Sequence, residues 1–330
     1  MINLFFYLFC DYNIMKFDNR FYLLIVVGII LYITFLIISD LNVISSKILE
    51  MNIQFLPYIL LLAPLSWFVV FFRWHILLKN SQIIIPKKEN FKIYMTGFAM
   101  SATPGKVGEL IKAQLLHTKY GTPRKKTVAI ILAEQFYNLI GILFISILGL
   151  FYFDFSIYVV FFTGGLLSFS VILLSSEKLF KNFINLISKN KFLKKYTPSL
   201  FDSYITLKKS TRGKVFVTSS LLSISFWLIE SLVVYIVFLS FEIKNFEFLQ
   251  LATTYTTSII IGVVSFLPMG IGVVEGSLAG FFSYQGIELS LALTLVIFIR
   301  IFTRWYGVIV GFIFMKIMGG FSINSSITNN

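Results

Sequence analysis

The sequence predicts an all-α fold: a polytopic helical membrane protein with about six transmembrane helices plus two re-entrant helical hairpins in an inverted repeat. Three observations lead there. Hydrophobic residues make up 57% of the chain and charged residues only 13%, with a mean hydropathy of +0.86, so polar surface is too scarce to cover a soluble core. Six apolar stretches, near 21–38, 54–72, 127–150, 157–175, 215–239 and 289–317, reach the roughly 20 helical residues that cross about 30 Å of hydrocarbon. Two more, 91–116 and 249–285, are broken in the middle by Pro and Gly and read as paired half-helices.

Taken in order, residues 1–20 form an N-terminal cytoplasmic segment with no small-residue cleavage site. Met15-Lys16, followed by Arg20 and an apolar run, reads as a natural start for the first span. Residues 21–318 form a single transmembrane domain and 319–330 a C-terminal tail. Its repeat units are about 91–150 and 249–317, and a basic amphipathic segment at 176–214 lies between them. There Leu179, Phe180, Phe183, Ile184, Leu186 and Ile187 alternate with Lys178 and Lys181, a pattern suited to a helix lying on an anionic leaflet.

Basic residues orient the layout. With six spans and both broken segments entering and leaving by one face, 23 of the 28 Lys/Arg fall on one side. That asymmetry predicts a plasma- or inner-membrane protein with both termini cytoplasmic. It also accounts for the net charge of +13 without a nucleic-acid partner. Cys10 is the single cysteine and His75 and His117 the only histidines. No metal, cofactor or catalytic residue is expected from such a set. Trp67, Trp74 and Tyr94 read as interface anchors.

The two breaks resemble each other. Pro104-Gly105-Lys106-Val107-Gly108-Glu109 matches the order of Pro268-Met269-Gly270-Ile271-Gly272 and the later Glu275. Glu109 precedes Glu134 by 25 positions, and Glu275 precedes Arg300 by 25. Gly141 and Gly307 each follow seven residues on, and Gly121 and Gly286 lie between. Pro104, Gly105, Gly108, Pro268, Gly270 and Gly272 are thus candidate hinges. Breaks expose backbone groups that lipid cannot satisfy, so they must be buried in protein or line a wet cavity. Three spans separate the two broken segments, which inverts one relative to the other, an arrangement whose binding site lies where the breaks meet.

Seven ionisable residues fall in apolar territory: Lys106, Glu109, Glu134, Glu230, Glu275, Arg300 and Arg304. Such charges face the interior and find partners. Glu134 lies about 10 Å from one membrane face and Arg300 about 16 Å from the other at 1.5 Å per residue. Those depths let the two meet across the repeat axis. Arg300 and Arg304, one turn apart, share a helix face and suit a phosphate. Half-helix N-termini after Gly105 and Gly272 would add donors. Lys106, Glu109, Glu134, Glu275, Arg300 and Arg304 are therefore the candidate headgroup-binding residues. Glu230, outside the repeat, reads as a helix-pairing or proton-linked group. A purely structural ion network is the alternative.

Ser101-Ala102-Thr103-Pro104-Gly105-Lys106-Val107-Gly108-Glu109, Glu134, Leu267-Pro268-Met269-Gly270-Ile271-Gly272-Val273-Val274-Glu275-Gly276 and Arg300 together resemble the lysylphosphatidylglycerol synthase transmembrane, or flippase-like, family. The resemblance spans roughly 20–318. It implies translocation of a phospholipid, aminoacyl-phospholipid or polyprenyl-linked lipid between leaflets, with membrane lipids as partners. No counterpart of the synthases' soluble aminoacyl-transfer domain follows Gly319-Gly320, so aminoacylation is not expected. The sequence also departs from the pattern after Glu134, where Asn138 stands one turn on. Two other functions compete. One is an integral-membrane glycosyl- or aminoacyl-transferase, against which no Asp-x-Asp motif or Gly-rich nucleotide loop is found. The other is an accessory subunit docking a lipid- or glycan-biosynthesis enzyme through 176–214.

Overall fold

The computed structural model describes residues 46–47, 49–101, 109–149, 156–188, 197–265 and 267–318. The predicted first span, the 1–20 segment, the tail, and Pro104, Gly105, Lys106 and Gly108 of the first break lie outside the described residues. Among the described residues every regular element is helical. Four helical segments are long and apolar enough to cross a bilayer: Ile53–Asn80, Arg124–Leu148, Gly213–Ser240 and Leu289–Ile317. A fifth arises if Val160–Leu174 and Glu177–Leu186, which meet at 108°, count as one bent span. Large apolar side chains stand on the outside, with Phe161 72%, Leu61 70% and Ile309 60% exposed. Water would not tolerate so wide an apolar surface, but lipid does.

The helices are α1 (Leu56–Asn80), α2 (Lys87–Ala99), α3 (Ile111–Tyr120), α4 (Arg124–Leu148), α5 (Ser156–Ser175), α6 (Glu177–Ser188), α7 (Thr197–Ser210), α8 (Gly213–Ser240), α9 (Phe248–Val264), α10 (Val273–Tyr284), α11 (Leu289–Arg300) and α12 (Tyr306–Ile317). A π-helical turn, Ile301–Trp305, joins α11 to α12. Pro57 opens α1 where its missing N–H costs nothing. Gly121 at the end of α3 and Gly286 after α10 take positive φ, 64° and 93°, the left-handed closure that glycine supplies without steric cost. Each reverses the chain from a half-helix into a long span.

α1–α2–α3–α4 and α8–α9–α10–α11/α12 repeat one order: span, half-helix, break, half-helix, span. The unit is therefore longer than 91–150 or 249–317, because each includes the span before its hairpin. Those two spans run antiparallel, as four contacts in reversed order show. Asn52 N–H donates to the Ser240 carbonyl at 2.7 Å, Ser66 to Glu230 at 2.9 Å, Arg73 to Ser223 at 2.6 Å and Asn80 to the Lys209 carbonyl at 3.1 Å. The units are thus inverted.

They also embrace reciprocally. α2 packs on α12, and α9 on α4. A β-carbon on Gly311 of α12 would strike the Ala99 backbone, and one on Gly149 after α4 would strike the Thr253 side chain of α9. Gly141 of α4 abuts Trp227 and the Ser223 backbone of α8, while Gly307 of α12 faces Trp67 of α1. Small residues at crossings let backbones approach where lipid gives no hydrophobic drive for association.

Basic segments gather at one end of the bundle. There Asn80 meets Lys209, Ser203 meets the Lys125 carbonyl, and Lys119 lies 3.9 Å from Met318. At the other end Gln250 of α9 donates to Gln285, just past α10, at 3.3 Å, closing the second hairpin. The amphipathic α6 turns Phe180 onto Tyr204 of α7, centroids 4.5 Å apart, and Phe183 onto Phe169 of α5. Leu179 and Leu186, also counted in its apolar face, stay exposed.

Candidate functional site

The second break is built around Arg300. Met269 takes a left-handed φ of 52°, followed by Gly270 at 65° and Gly272 at 82°, so the chain cannot continue as a helix. The freed Met269 carbonyl accepts from Arg300 Nη2 at 2.8 Å. Arg300 Nε donates to Glu275 Oε1 at 2.6 Å, and the other carboxylate oxygen of Glu275 accepts from the Gly272 N–H at 2.7 Å. Glu275 thereby caps the α10 N-terminus, where helix polarity favours a negative charge. The donor site expected for a phosphate is filled by a carboxylate of the chain itself. Arg300 Nη1 is buried and has no hydrogen-bond partner among the described residues.

The first unit carries the corresponding arrangement with altered charges. Glu109 and Glu134, the counterparts of Glu275 and Arg300, are both acids, so they cannot pair directly. Lys112, one turn beyond Glu109, bridges them at 3.2 Å and 2.7 Å. Its ammonium also sits 4.6 Å from the Trp74 ring centre and 4.9 Å from that of Tyr94, a cation–π seat that replaces lost hydration. Arg73 of α1 lies 3.8 Å from the other Glu134 oxygen. Arg73 Nη1 donates to Asn138 at 2.8 Å and Ser223 at 2.6 Å.

A third cluster lies between α1, α8, α9 and the π-turn. Glu230 accepts from Ser66 at 2.9 Å, Tyr255 at 3.2 Å and Arg304 at 3.3 Å. The Arg304 guanidinium lies 5.9 Å from the Trp227 ring centre, and the Trp227 indole N–H donates to the Asn138 carbonyl. The clusters are thereby linked. Among the described residues four carboxylates (Glu109, Glu134, Glu230, Glu275) face four cations (Arg73, Lys112, Arg300, Arg304), so their charges balance cluster by cluster. Neutrality and dense hydrogen bonding are what buried charge in a bilayer requires.

Several expectations change here. Glu134 and Arg300 do not meet: each is held by a residue of its own unit. Arg300 and Arg304 do not converge on one anion, because Glu275 and Glu230 draw them to different helices. Arg73 and Lys112, counted among the surface basic residues, are each 2% exposed. Trp67, Trp74 and Tyr94 are buried instead of lying at an interface, and Trp74 donates to Asn90 at 2.9 Å. Glu230 does pair helices. The spacing of Lys112 three residues after Glu109 was the available signal for its ion pair.

The fold and these clusters define a class: a helical membrane protein of two inverted units, each carrying buried ion pairs on its half-helices and spans. The family model for the lysylphosphatidylglycerol synthase TM region matches residues 23–311, and the chain belongs to that family. A UPF0104 membrane protein of Methanothermobacter thermautotrophicus is 22% identical over 315 residues, covering 86% of this chain and 91% of the relative. A second UPF0104 membrane protein of that organism is 32% identical over 100 residues, 30% of each chain. The family match is to the membrane region of the synthases.

Proposed function

We propose that this chain moves a phosphate-bearing lipid between leaflets of the plasma or inner membrane, taking its headgroup at Arg300. The observation that carries the reading is the buried guanidinium beside the break, paired to Glu275 and with no partner for Nη1 among the described residues. A phosphate, like a carboxylate, accepts from the guanidinium fork through two oxygens at once. It would displace Glu275 from Arg300, release the Met269 carbonyl and let the break relax. The incoming phosphate adds one negative charge to a neutral cluster, so opening requires the displaced Glu275 carboxylate to reach water.

The inverted units then rock about the antiparallel α1–α8 pair, alternating access to the site. Arg304, 23% exposed at its side chain, is a second contact for the headgroup along its route. The clustering of basic residues at one end supports a cytoplasmic assignment for that end. Both termini are then cytoplasmic, the α2–α3 hairpin enters from inside and the α9–α10 hairpin from outside. Phospholipid, aminoacyl-phospholipid and polyprenyl-phosphate lipids all present the required anion. Reconstituted protein assayed for leaflet exchange of each lipid tests the proposal: exchange above that of empty vesicles, lost in Arg300→Ala, is the expected result.

A further inference from the structure

A buried polar seam runs between α1, α4, α7 and α8, from the basic end of the bundle to Arg73. At that end Asn80 donates to the carbonyl of exposed Lys209 at 3.1 Å. The next residue, Ser210, is fully buried, and its carbonyl accepts from the buried Tyr137 hydroxyl at 2.6 Å. Ser219 of α8 lies beside that hydroxyl. One turn further, Ser223 accepts from Arg73 Nη1 at 2.6 Å and donates to the Ser219 carbonyl at 2.9 Å. Arg73 then reaches Asn138 at 2.8 Å and Glu134 at 3.8 Å. Ser219 and Ser223 lie about 9 and 15 Å along α8 from Gly213, at 1.5 Å per residue, so the seam passes from the surface deep into the bundle.

Two polar atoms, one at each end of this seam, are buried with no hydrogen-bond partner among the described residues: Ser210 Oγ and Arg73 Nε. A helical hydroxyl ordinarily satisfies itself by donating to the carbonyl four residues back, as Ser223, Ser231 and Thr256 do. Ser210 does not. Arg73 Nε has no such freedom, because its guanidinium is fixed by the Nη1 bonds to Asn138 and Ser223. A buried polar atom left without a partner costs stability, and a water molecule that bonds it recovers that loss. Internal water settles where it finds roughly two to four polar partners. Between Ser210 and Arg73 the seam supplies a guanidinium N–H, the hydroxyls of Ser210 and Ser219, and the lone pairs of the Tyr137 oxygen.

We infer that a file of internal water molecules occupies this seam, entering beside Lys209 and Asn80 and ending on Arg73 Nε. The water bonds Ser210, Tyr137 and Ser219 in turn and reaches the guanidinium that stands 3.8 Å from Glu134. The first unit's ion cluster is thereby hydrated from the basic end of the bundle. Charges whose contacts lengthen there meet water instead of bare interior, which lowers the cost of separating them. The inference does not depend on lipid movement at Arg300.

X-ray radiolysis of the purified full chain tests this, because the pulse makes hydroxyl radicals from water in place and oxidises a buried ring where water stands against it. Tyr137 and Phe238 are both fully buried, but Phe238 packs on Phe246 and Phe282. Tyr137 should be oxidised several-fold more than Phe238. Brief mixing with heavy-oxygen water should carry the label into the Tyr137 product, as exchange with the bulk requires. Ser219→Val, which puts apolar bulk into the seam, should bring Tyr137 down to the Phe238 level. Ser231→Ala, on the same helix but outside the seam, should leave Tyr137 as in wild type. Unfolding midpoints check that the variants fold, and Ser210→Ala, which only removes a hydroxyl, should also reduce Tyr137 oxidation. Oxidation of Tyr137 no greater than that of Phe238 in wild type, or wild-type oxidation in folded Ser219→Val or Ser210→Ala, overturns the inference.

Discussion

Arg300 and Glu275, 25 residues apart in sequence, meet at 2.6 Å between α11 and α10. One carboxylate oxygen holds the guanidinium and the other holds the Gly272 N–H at the start of α10. The pair thus closes the break from both sides, and in the first unit Lys112 joins the corresponding residues Glu109 and Glu134.

Removing one member should strand the other in the interior. Arg300→Gln and Glu275→Gln are each expected to cost about 3–5 kcal/mol, the usual penalty for breaking a buried pair. The double variant should lose less than the sum, with a coupling of about 2 kcal/mol. Unfolding in mixed micelles measures it, and additive losses would show that the two do not interact energetically.

The first unit makes a different prediction, because its two acids share one ammonium. Lys112→Met should destabilise by about 3–5 kcal/mol and should be partly rescued by Glu134→Gln, which removes one of the two stranded carboxylates. Glu134→Gln in the wild-type background should be destabilising, since it leaves Arg73 and Lys112 with less counter-charge. The same unfolding assay reads the change of sign.

Helix crossings offer a test independent of charge. Gly311→Ala drives a β-carbon into the Ala99 backbone and should cost about 1–3 kcal/mol as overpacking does. Gly280→Ala meets nothing within 4 Å and should instead add about 0.5–1 kcal/mol through reduced backbone freedom. Equal effects would contradict the α2–α12 packing.

Inversion of the units predicts opposite accessibility of the hairpin turns. In a Cys10→Ser background, Lys119→Cys and Tyr284→Cys should react with an impermeant maleimide from opposite sides of the membrane. Tyr284 is 83% exposed, so labelling should be fast. Reaction of both from one side would exclude the inverted arrangement.

Much of this architecture was legible because lipid imposes simple rules. Apolar runs in 54–72, 127–150, 215–239 and 289–317 announce helices, and Pro268 with Gly270 and Gly272 announces a break. At the 25-residue spacing, Glu275 meets Arg300 directly, whereas Glu109 and Glu134 share Lys112. What stayed hidden was pairing. Arg73 directly follows the apolar run 54–72 and Lys112 comes soon after the first break in sequence, so charge counting assigns them to the surface, yet α1 runs on to Asn80. Only the crossing of α1 with α8 and the fold of α3 under Trp74 and Tyr94 bury them. The spans α1 and α8 carry no break of their own, so their membership of the repeat emerges only from antiparallel contacts such as Arg73 with Ser223. Depth alone brought Glu134 near Arg300, but each found a closer partner within its own unit.

The most direct test of the central claim is lipid exchange in vesicles holding wild-type, Arg300→Ala or Arg300→Lys protein. Phosphatidylglycerol, an aminoacyl-phospholipid and a polyprenyl phosphate are each followed from one leaflet to the other. Wild type should accelerate at least one of them over empty vesicles, Arg300→Lys should retain part of that rate, and Arg300→Ala should fall to the vesicle background. Exchange of all three at the background rate in wild type, or at the wild-type rate in Arg300→Ala, would contradict a headgroup site at Arg300.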